Sequence, residues 1–98
     1  MHIITRSRLT AFGQNHADAA VALREWARVV RRKHYRTPRD VRADFPAVDC
    51  VGRYRAVFKI CRNAYRLIVD IRYDLGRIYI RHVVTHAEYD RLIKRGLL

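Results

Sequence analysis

An alternation of apolar and polar residues begins at Arg53 and continues to Val84. Successive side chains of a β-strand point to opposite faces, so this pattern predicts strands rather than helices. Two short segments, Arg62–Asn63 and 74–77, interrupt the alternation with residues typical of turns. The pattern therefore predicts an antiparallel meander of three strands, over residues 53–61, 64–73 and 78–84.

Before this alternation the chain has the period of amphipathic helices, preceded by a short strand at residues 2–5. Ser7 is expected to cap a helix that ends near His16. Asp18 is expected to cap a second helix, over residues 17–33. The apolar residues of the second helix fall on one side, which favours packing in the core: Ala19, Leu23, Trp26, Ala27 and Val30.

A short third helix is predicted from Thr37, which suits the N-cap of a capping box with Asp40, and Pro38 suits the first helical position. Phe45–Pro46 ends it. The order of elements predicts one α+β domain over residues 1–98. Its parts are a short first strand, two N-terminal helices, the three-strand antiparallel meander and a short C-terminal helix, with the helices on one face of the sheet.

Several other classes of protein are disfavoured. No apolar run approaches the roughly 20 residues that span a bilayer, and the N-terminus lacks the apolar stretch of a signal peptide. We therefore expect a cytoplasmic protein without a membrane partner. Cys50 and Cys61 are too few for a disulfide scaffold and lack metal-binding spacing, so neither a metal nor another cofactor is expected.

Strand parity divides the meander into two faces. The face predicted to pack against the helices takes Ala56, Phe58, Ile60, Leu67, Val69, Ile71, Ile78, Ile80, His82 and Val84. On this parity, His82 is expected to be a packing histidine rather than a catalytic one. The opposite face, called the cation face below, takes Arg55, Val57, Lys59, Arg66, Ile68, Asp70, Arg72, Tyr79, Arg81 and Val83.

The charge of the chain favours a polyanionic partner. The formal net charge is +12, and all of the 21 basic residues except Lys33, Lys59 and Lys94 are arginine. Arginine forms bidentate hydrogen bonds to phosphate and stacks on bases, which favours nucleic acid. An acidic protein partner would use the same surface.

The predicted turns also fix which residues of the cation face lie opposite one another. If Arg62–Asn63 is a two-residue turn, Lys59 lies opposite Arg66, and opposed like charges destabilise a sheet. We interpret the pair as a phosphate site; the alternative is that both side chains point into water. The next turn places Asp70 between Arg55 and Arg81, where it would hold both guanidinium groups.

The segment "YIRHVVTHAEYD", residues 79–90, concentrates polar residues where the last strand ends. Together with "N-x-YRLIV" at 63–69 and "FP…D" at 45–49, it resembles the HigB family of bacterial toxins, in the RelE-like group. The resemblance covers essentially the whole chain. It implies a RelE-like fold and a ribosome-dependent endoribonuclease that cleaves messenger RNA in the 30S decoding site. It also implies neutralisation by a HigA-type helix-turn-helix antitoxin.

Cleavage of RNA without a metal uses the adjacent 2′-hydroxyl as nucleophile and needs a base, an acid and cations around phosphorus. Histidine carries protons near neutral pH, whereas tyrosine, with an ordinary pKa of about 10, needs nearby arginines to act as a base. We predict four catalytic residues: Arg66, Arg81, His86 and Tyr89. We predict that RNA is bound by Arg53, Arg55, Lys59 and Arg62. Orienting roles are predicted for Asp70 and Asp90.

Simpler interpretations stay open. Thr85 and Glu88 have the spacing of a capping box, so "THAEYD" is also explained as a helix start, and both roles are compatible. A non-catalytic RNA-binding domain would keep the basic sheet without needing His86 beside Tyr89. A DNA-binding regulator would read its site with Arg24, Arg28 and Arg31, but no recognition-helix pattern accompanies them.

Overall fold

A mixed sheet of five strands organises the protein, whose computed structural model describes residues 1–96. The strands are β1 (His2–Ile4), β2 (Asp49–Val51), β3 (Arg55–Ile60), β4 (Tyr65–Arg72) and β5 (Arg77–Thr85). Their spatial order is β1-β5-β4-β3-β2, in which β1 is parallel to β5 and the other neighbours are antiparallel. The predicted α+β architecture and three-strand meander are confirmed.

Four helices accompany the sheet: α1 (Ser7–Asn15), α2 (Ala17–Arg31), α3 (Pro38–Asp44) and α4 (His86–Lys94). The capping boxes predicted at Thr37 and Thr85 are both present. The caps predicted at Ser7 and Asp18 are wrong, because both residues already lie inside the first turn of their helices. The carboxylate of Asp18 instead accepts a hydrogen bond from the hydroxyl of Tyr65, at 2.9 Å.

The edge strand β2 was not predicted from the sequence. It pairs antiparallel with the first half of β3, from Asp49 opposite Val57 to Val51 opposite Arg55. Three residues are too few to show an alternating pattern, so the sequence carries no signal for it. The turn between β2 and β3 contains Arg53, which therefore lies outside the strand to which it was assigned.

The core lies between the sheet and the helices α1, α2 and α3. All five apolar residues predicted for α2 are buried there, as are the eight aliphatic and aromatic residues that parity assigned to this face from Ala56 to Ile80. Because α4 packs against β4 and β5 and its Tyr89 contacts Arg66 of the cation face, the helices do not all lie on one side. That expectation is corrected.

A β-bulge in β5 changes the parity of its last residues. Ile68 of β4 lies opposite His82, but the next residue, Val69, lies opposite Ile80, so Arg81 is an extra residue in β5. Two consecutive side chains, Arg81 and His82, therefore belong to the cation face. The prediction of a packing His82 is wrong, since the residue is exposed.

The same bulge exchanges the two residues that follow. Val84 now lies opposite Arg66 on the cation face, and Val83 packs against the core. Both assignments made from parity are therefore reversed. No helix within residues 1–96 is long and apolar enough to cross a membrane.

Candidate functional site

Arg66 is the one charged residue that is buried within residues 1–96, with 6% of its surface exposed. It lies opposite Lys59, as the predicted register requires. Its Nη1 donates hydrogen bonds to the carbonyl oxygens of Asn63, at 3.1 Å, and Tyr65, at 3.2 Å. The two opposed cations do not both point into water: Lys59 is exposed, whereas the guanidinium of Arg66 is held by the backbone.

The ring of Tyr89, on the first turns of α4, covers this guanidinium. The Cζ atom of Arg66 lies 5.5 Å from the centre of the ring, within cation–π distance. His86 precedes Tyr89 by three residues, so both side chains project from the same side of the helix. Asp90 lies beyond them, with its Oδ2 3.6 Å from Nδ1 of His86, too long for a hydrogen bond.

The turn between β3 and β4 positions the start of α4. The N–H of Ala64 donates to the carbonyl oxygen of Cys61, which makes Arg62–Asn63 the centre of the turn, as predicted. The carbonyl oxygen of Ala64 accepts from the backbone N–H of His86, at 3.0 Å. The left-handed residues of this turn are Cys61 and Arg62, with φ of 51° and 63°.

A second charged group lies further along the cation face. The Oδ1 of Asp70 accepts a hydrogen bond from Nε of Arg55 at 2.6 Å, and its Oδ2 accepts one from Nε of Arg81 at 2.7 Å. The predicted ion network is confirmed, but the predicted register is wrong, because the turn covers residues 73–76 and Asp70 lies opposite Tyr79. Only Nε of each arginine is used, so the Nη groups have no hydrogen-bond partner within residues 1–96, and the side chain of Arg81 is 51% exposed.

The pKa of Asp70 reflects this network. Burial raises it, but hydrogen bonds and charge from Arg55 and Arg81 outweigh burial and hold the pKa below its ordinary value of 3.8. Because the folded-state pKa is depressed, its contribution to stability is present above the ordinary value and is lost as the pH falls through the folded value.

We therefore expect Asp70→Asn to lower the free energy of unfolding at pH 7 by about 1–3 kcal/mol, the cost of two weakened charge-assisted hydrogen bonds. The difference from the parent protein should shrink below about pH 4. Urea unfolding between pH 3 and pH 7 measures it. Asp74→Asn is the matched control, because its ion pair with Arg72 lies at the surface and contributes little to stability. An equally large loss of unfolding free energy in the control would contradict the stabilising role assigned to Asp70.

The four residues predicted to bind RNA are not one cluster. Arg62 and Lys59 lie near Arg66 at one end of β3, and Arg55 belongs to the Asp70 network. Arg53 lies beyond the other end of β3, where its guanidinium is 5.4 Å from the ring of Tyr54. The four residues are spread along the length of β3, which is roughly 20 Å at about 3.3 Å per residue, and beyond its two ends. Such a spacing suits an extended ligand better than a compact one.

Sequence reasoning missed His82 on this face and Arg8, which contacts the backbone of β5 from α1. His82 was hidden by the bulge, although the adjacent apolar residues Val83 and Val84 break the alternation and mark the irregularity. Arg8 of α1 donates hydrogen bonds to the carbonyl oxygens of Ile80, at 3.4 Å, and of Arg81. It thereby provides a donor to two carbonyl oxygens next to the bulge. No group of three His, Cys, Asp or Glu side chains arranged to hold a metal occurs within residues 1–96.

Comparison with known proteins gives consistent matches along the chain. Residues 19–92 match the HigB_toxin family, described as the RelE-like toxic component of a toxin-antitoxin system. The chain is 31% identical over 97 residues to the mRNA interferase HigB of Escherichia coli O6:H1, covering 96% of this chain and 93% of the relative. It is 27% identical over 92 residues to the mRNA interferase toxin HigB of Escherichia coli K12, covering 92% and 88%.

Proposed function

The chain belongs to the HigB family of RelE-like toxins, and from this premise we propose that it is a ribosome-dependent endoribonuclease that cleaves messenger RNA. Its relatives are named mRNA interferases, which supports messenger RNA as the substrate. Residues 1–98 act as a single toxin domain. Messenger RNA in the 30S decoding site is the substrate, and a HigA-type helix-turn-helix antitoxin neutralises the activity.

One observation carries the proposal: Tyr89 lies on the buried guanidinium of Arg66, with His86 one helical turn away and 52% exposed. A histidine and a tyrosine are thus presented together beside a fixed positive charge. The capping box of Thr85 and Glu88 and the hydrogen bond from His86 to Ala64 fix the backbone that carries them. Such a fixed arrangement is what proton transfer in a transition state requires.

The residues divide the reaction between them. The 2′-hydroxyl of the message attacks the adjacent phosphorus, and the bond to the 5′-oxygen breaks, which leaves a 2′,3′-cyclic phosphate and a 5′-hydroxyl. His86 and Tyr89 transfer the two protons, with Asp90 beside the ring of His86. The free Nη groups of Arg81, oriented by Asp70, bind the phosphate and stabilise its extra negative charge.

Arg66 does not bind the phosphate directly in this proposal, because its Nη1 already donates hydrogen bonds to two carbonyl oxygens. We assign it the positioning of Tyr89 and a positive field beside the hydroxyl of that residue. The flanking message lies along β3, where it is bound by Arg53, Arg55, Lys59 and Arg62. No metal takes part in this proposal.

Induction of the gene in a bacterial host tests the proposal. Growth should stop, and primer extension should detect cleaved messages, unless the antitoxin gene is induced as well. Arrest of growth without cleaved message would instead favour a non-catalytic domain that binds the ribosome. Binding of the antitoxin at a stoichiometric ratio, measured on the purified proteins, checks the partner.

Binding to ribosomes or RNA should weaken steeply with salt. Segment 53–81 has eight basic residues against Asp70 and Asp74, and each neutralised phosphate contributes about 0.7–0.9 to the slope of log affinity against log salt. The double variant Lys59→Gln, Arg62→Gln should reduce the slope by about 1.4–1.8. The control, Arg36→Gln with Arg39→Gln, removes two exposed cations elsewhere. A flat salt response of the parent protein, or an equal change in the control, would contradict the prediction.

A further inference from the structure

We propose that a pocket between β5 and α4 binds one nucleotide of the message and selects bases that have an exocyclic amino group. This inference rests on the proposed function and adds a specificity site to it. The pocket has a volume of about 210 Å³ and is lined by His82, Val84, Glu88, Arg91, Leu92 and Arg95. It does not include His86 or Tyr89, whose ring contacts Arg66 instead.

The bulge in β5 is the structural cause of the pocket. Without the extra residue Arg81, the side chain of His82 would point into the core; with it, His82 stands beside Arg81 on the cation face. Arg8 donates hydrogen bonds to the carbonyl oxygens of Ile80 and Arg81, next to the bulge. A local irregularity with its own supporting residue therefore aims His82 at the pocket.

The pocket combines three kinds of group that bind a nucleotide: apolar walls for the base, cations for the phosphate and a hydrogen-bond acceptor for the edge of the base. Val84 and Leu92 provide apolar walls against which a base packs. Arg91 and Arg95 are one helical turn apart and have no carboxylate partner within 4.0 Å among residues 1–96, so both are available to a phosphate.

Glu88 supplies the selectivity. Its Oε1 accepts the backbone N–H of Thr85 at 3.1 Å in the capping box, and its Oε2 has no hydrogen-bond partner within residues 1–96. Hydrogen bonds from Thr85 lower the pKa of Glu88, with the charge of Arg91 acting in the same direction, so the group is an acceptor at neutral pH. Adenine, cytosine and guanine have an amino group to donate, whereas uracil has none.

His82 completes the pocket as a neutral ring. Although His82 is exposed, partial desolvation of its ring lowers its pKa, and the positive charges of Arg55, Arg8 and Arg81 lower it further. A neutral imidazole donates through one nitrogen and accepts through the other, and its flat ring packs against a base. Its side chain has no hydrogen-bond partner within residues 1–96.

Titration of the full-length, isotope-labelled protein with AMP, CMP, GMP, UMP and inorganic phosphate, followed by NMR, tests the pocket without cleavage. We expect shifts at His82, Val84 and Leu92, with UMP binding weaker than the other nucleotides by about tenfold. Arg91→Gln should weaken all four nucleotides by about tenfold. Arg39→Gln, which removes an exposed cation from α3, should change none of them.

The decisive variant is Glu88→Gln, because glutamine also serves at this position of a capping box and so keeps the helix start. Its amide both donates and accepts, so the discrimination against UMP should be lost while the melting temperature stays unchanged. In the cleavage assay, Glu88→Gln and His82→Ala should alter the distribution of cleavage sites between codons.

The outcomes separate this inference from the proposed function. Nucleotide shifts in the pocket together with an inactive parent protein would refute the nuclease and support the pocket. Cleavage with no nucleotide shifts at these residues, or with equal binding of phosphate and all four nucleotides, would overturn the pocket and leave the nuclease in place. An unchanged preference over UMP in folded Glu88→Gln would overturn the role of the carboxylate.

Discussion

His86→Ala and Tyr89→Phe should each lower the rate of message cleavage by about 10²–10⁴-fold, the usual cost of losing a general acid or base. Both variants should fold. The side chain of His86 is 52% exposed, and its nearest charged neighbour, Asp90, is exposed as well. Phenylalanine keeps the ring that covers Arg66 and removes only the hydroxyl. Neither change alters the charge of +12 that drives encounter with RNA.

The matched controls are His34→Ala and Tyr54→Phe. His34 is exposed, and the ring of Tyr54 is contacted by arginines at the other end of β3. Both controls should cleave like the parent protein. Because residues that act as a unit are not additive, the variant that combines the two substitutions should be little worse than the worse single one. A folded His86→Ala protein that cleaves at nearly the parent rate would reassign His86 to the start of α4.

Arg66→Gln should lower both stability and cleavage. Replacement of the buried guanidinium leaves the carbonyl oxygens of Asn63 and Tyr65 without their donor, which costs about 1–3 kcal/mol of unfolding free energy. Cleavage should fall by about 30- to 150-fold, or roughly 2–3 kcal/mol, because Tyr89 loses the charge on which it lies. The sequence alone predicts the opposite effect on stability: Arg66→Gln would relieve the repulsion with Lys59 and leave the free energy of unfolding equal or slightly higher.

Lys59→Gln separates the two interpretations of Arg66. It removes the opposed charge from an exposed side chain that holds no carbonyl oxygen, so stability should be unchanged or slightly raised. On the same preparations, urea unfolding measures the free energy of unfolding and primer extension measures cleavage. If Arg66→Gln is as stable as Lys59→Gln and cleaves like the parent protein, the guanidinium has neither role.

Counting residues across the Arg62–Asn63 turn was sufficient to predict the Lys59–Arg66 register, because a two-residue turn leaves no freedom in the pairing that follows it. The register of the second hairpin was predicted wrongly: its turn covers residues 73–76 rather than 74–77, so Asp70 lies opposite Tyr79 and binds Arg81 two residues further along β5. The capping boxes at Thr37 and Thr85 were predictable for a similar reason, since the residues that form them are three positions apart.

The bulge at Arg81 was beyond such reasoning, because alternation assumes that every residue has a partner. It decides where His82, Val83 and Val84 lie, and all three were assigned to the wrong face. Burial of Arg66 was equally hidden, since it depends on α4 covering the cation face. The composition of "THAEYD" indicates a helix start but not the surface against which that helix packs.

Chemical analysis of the message ends after cleavage by the purified protein tests both the reaction and its dependence on the ribosome. A defined message is incubated with the protein alone and with ribosomes programmed by that message. We expect cleavage with ribosomes only, yielding an upstream fragment with a 2′,3′-cyclic phosphate and a downstream fragment with a 5′-hydroxyl. Equal cleavage of the naked message, or ends with a 3′-hydroxyl and a 5′-phosphate, would contradict it.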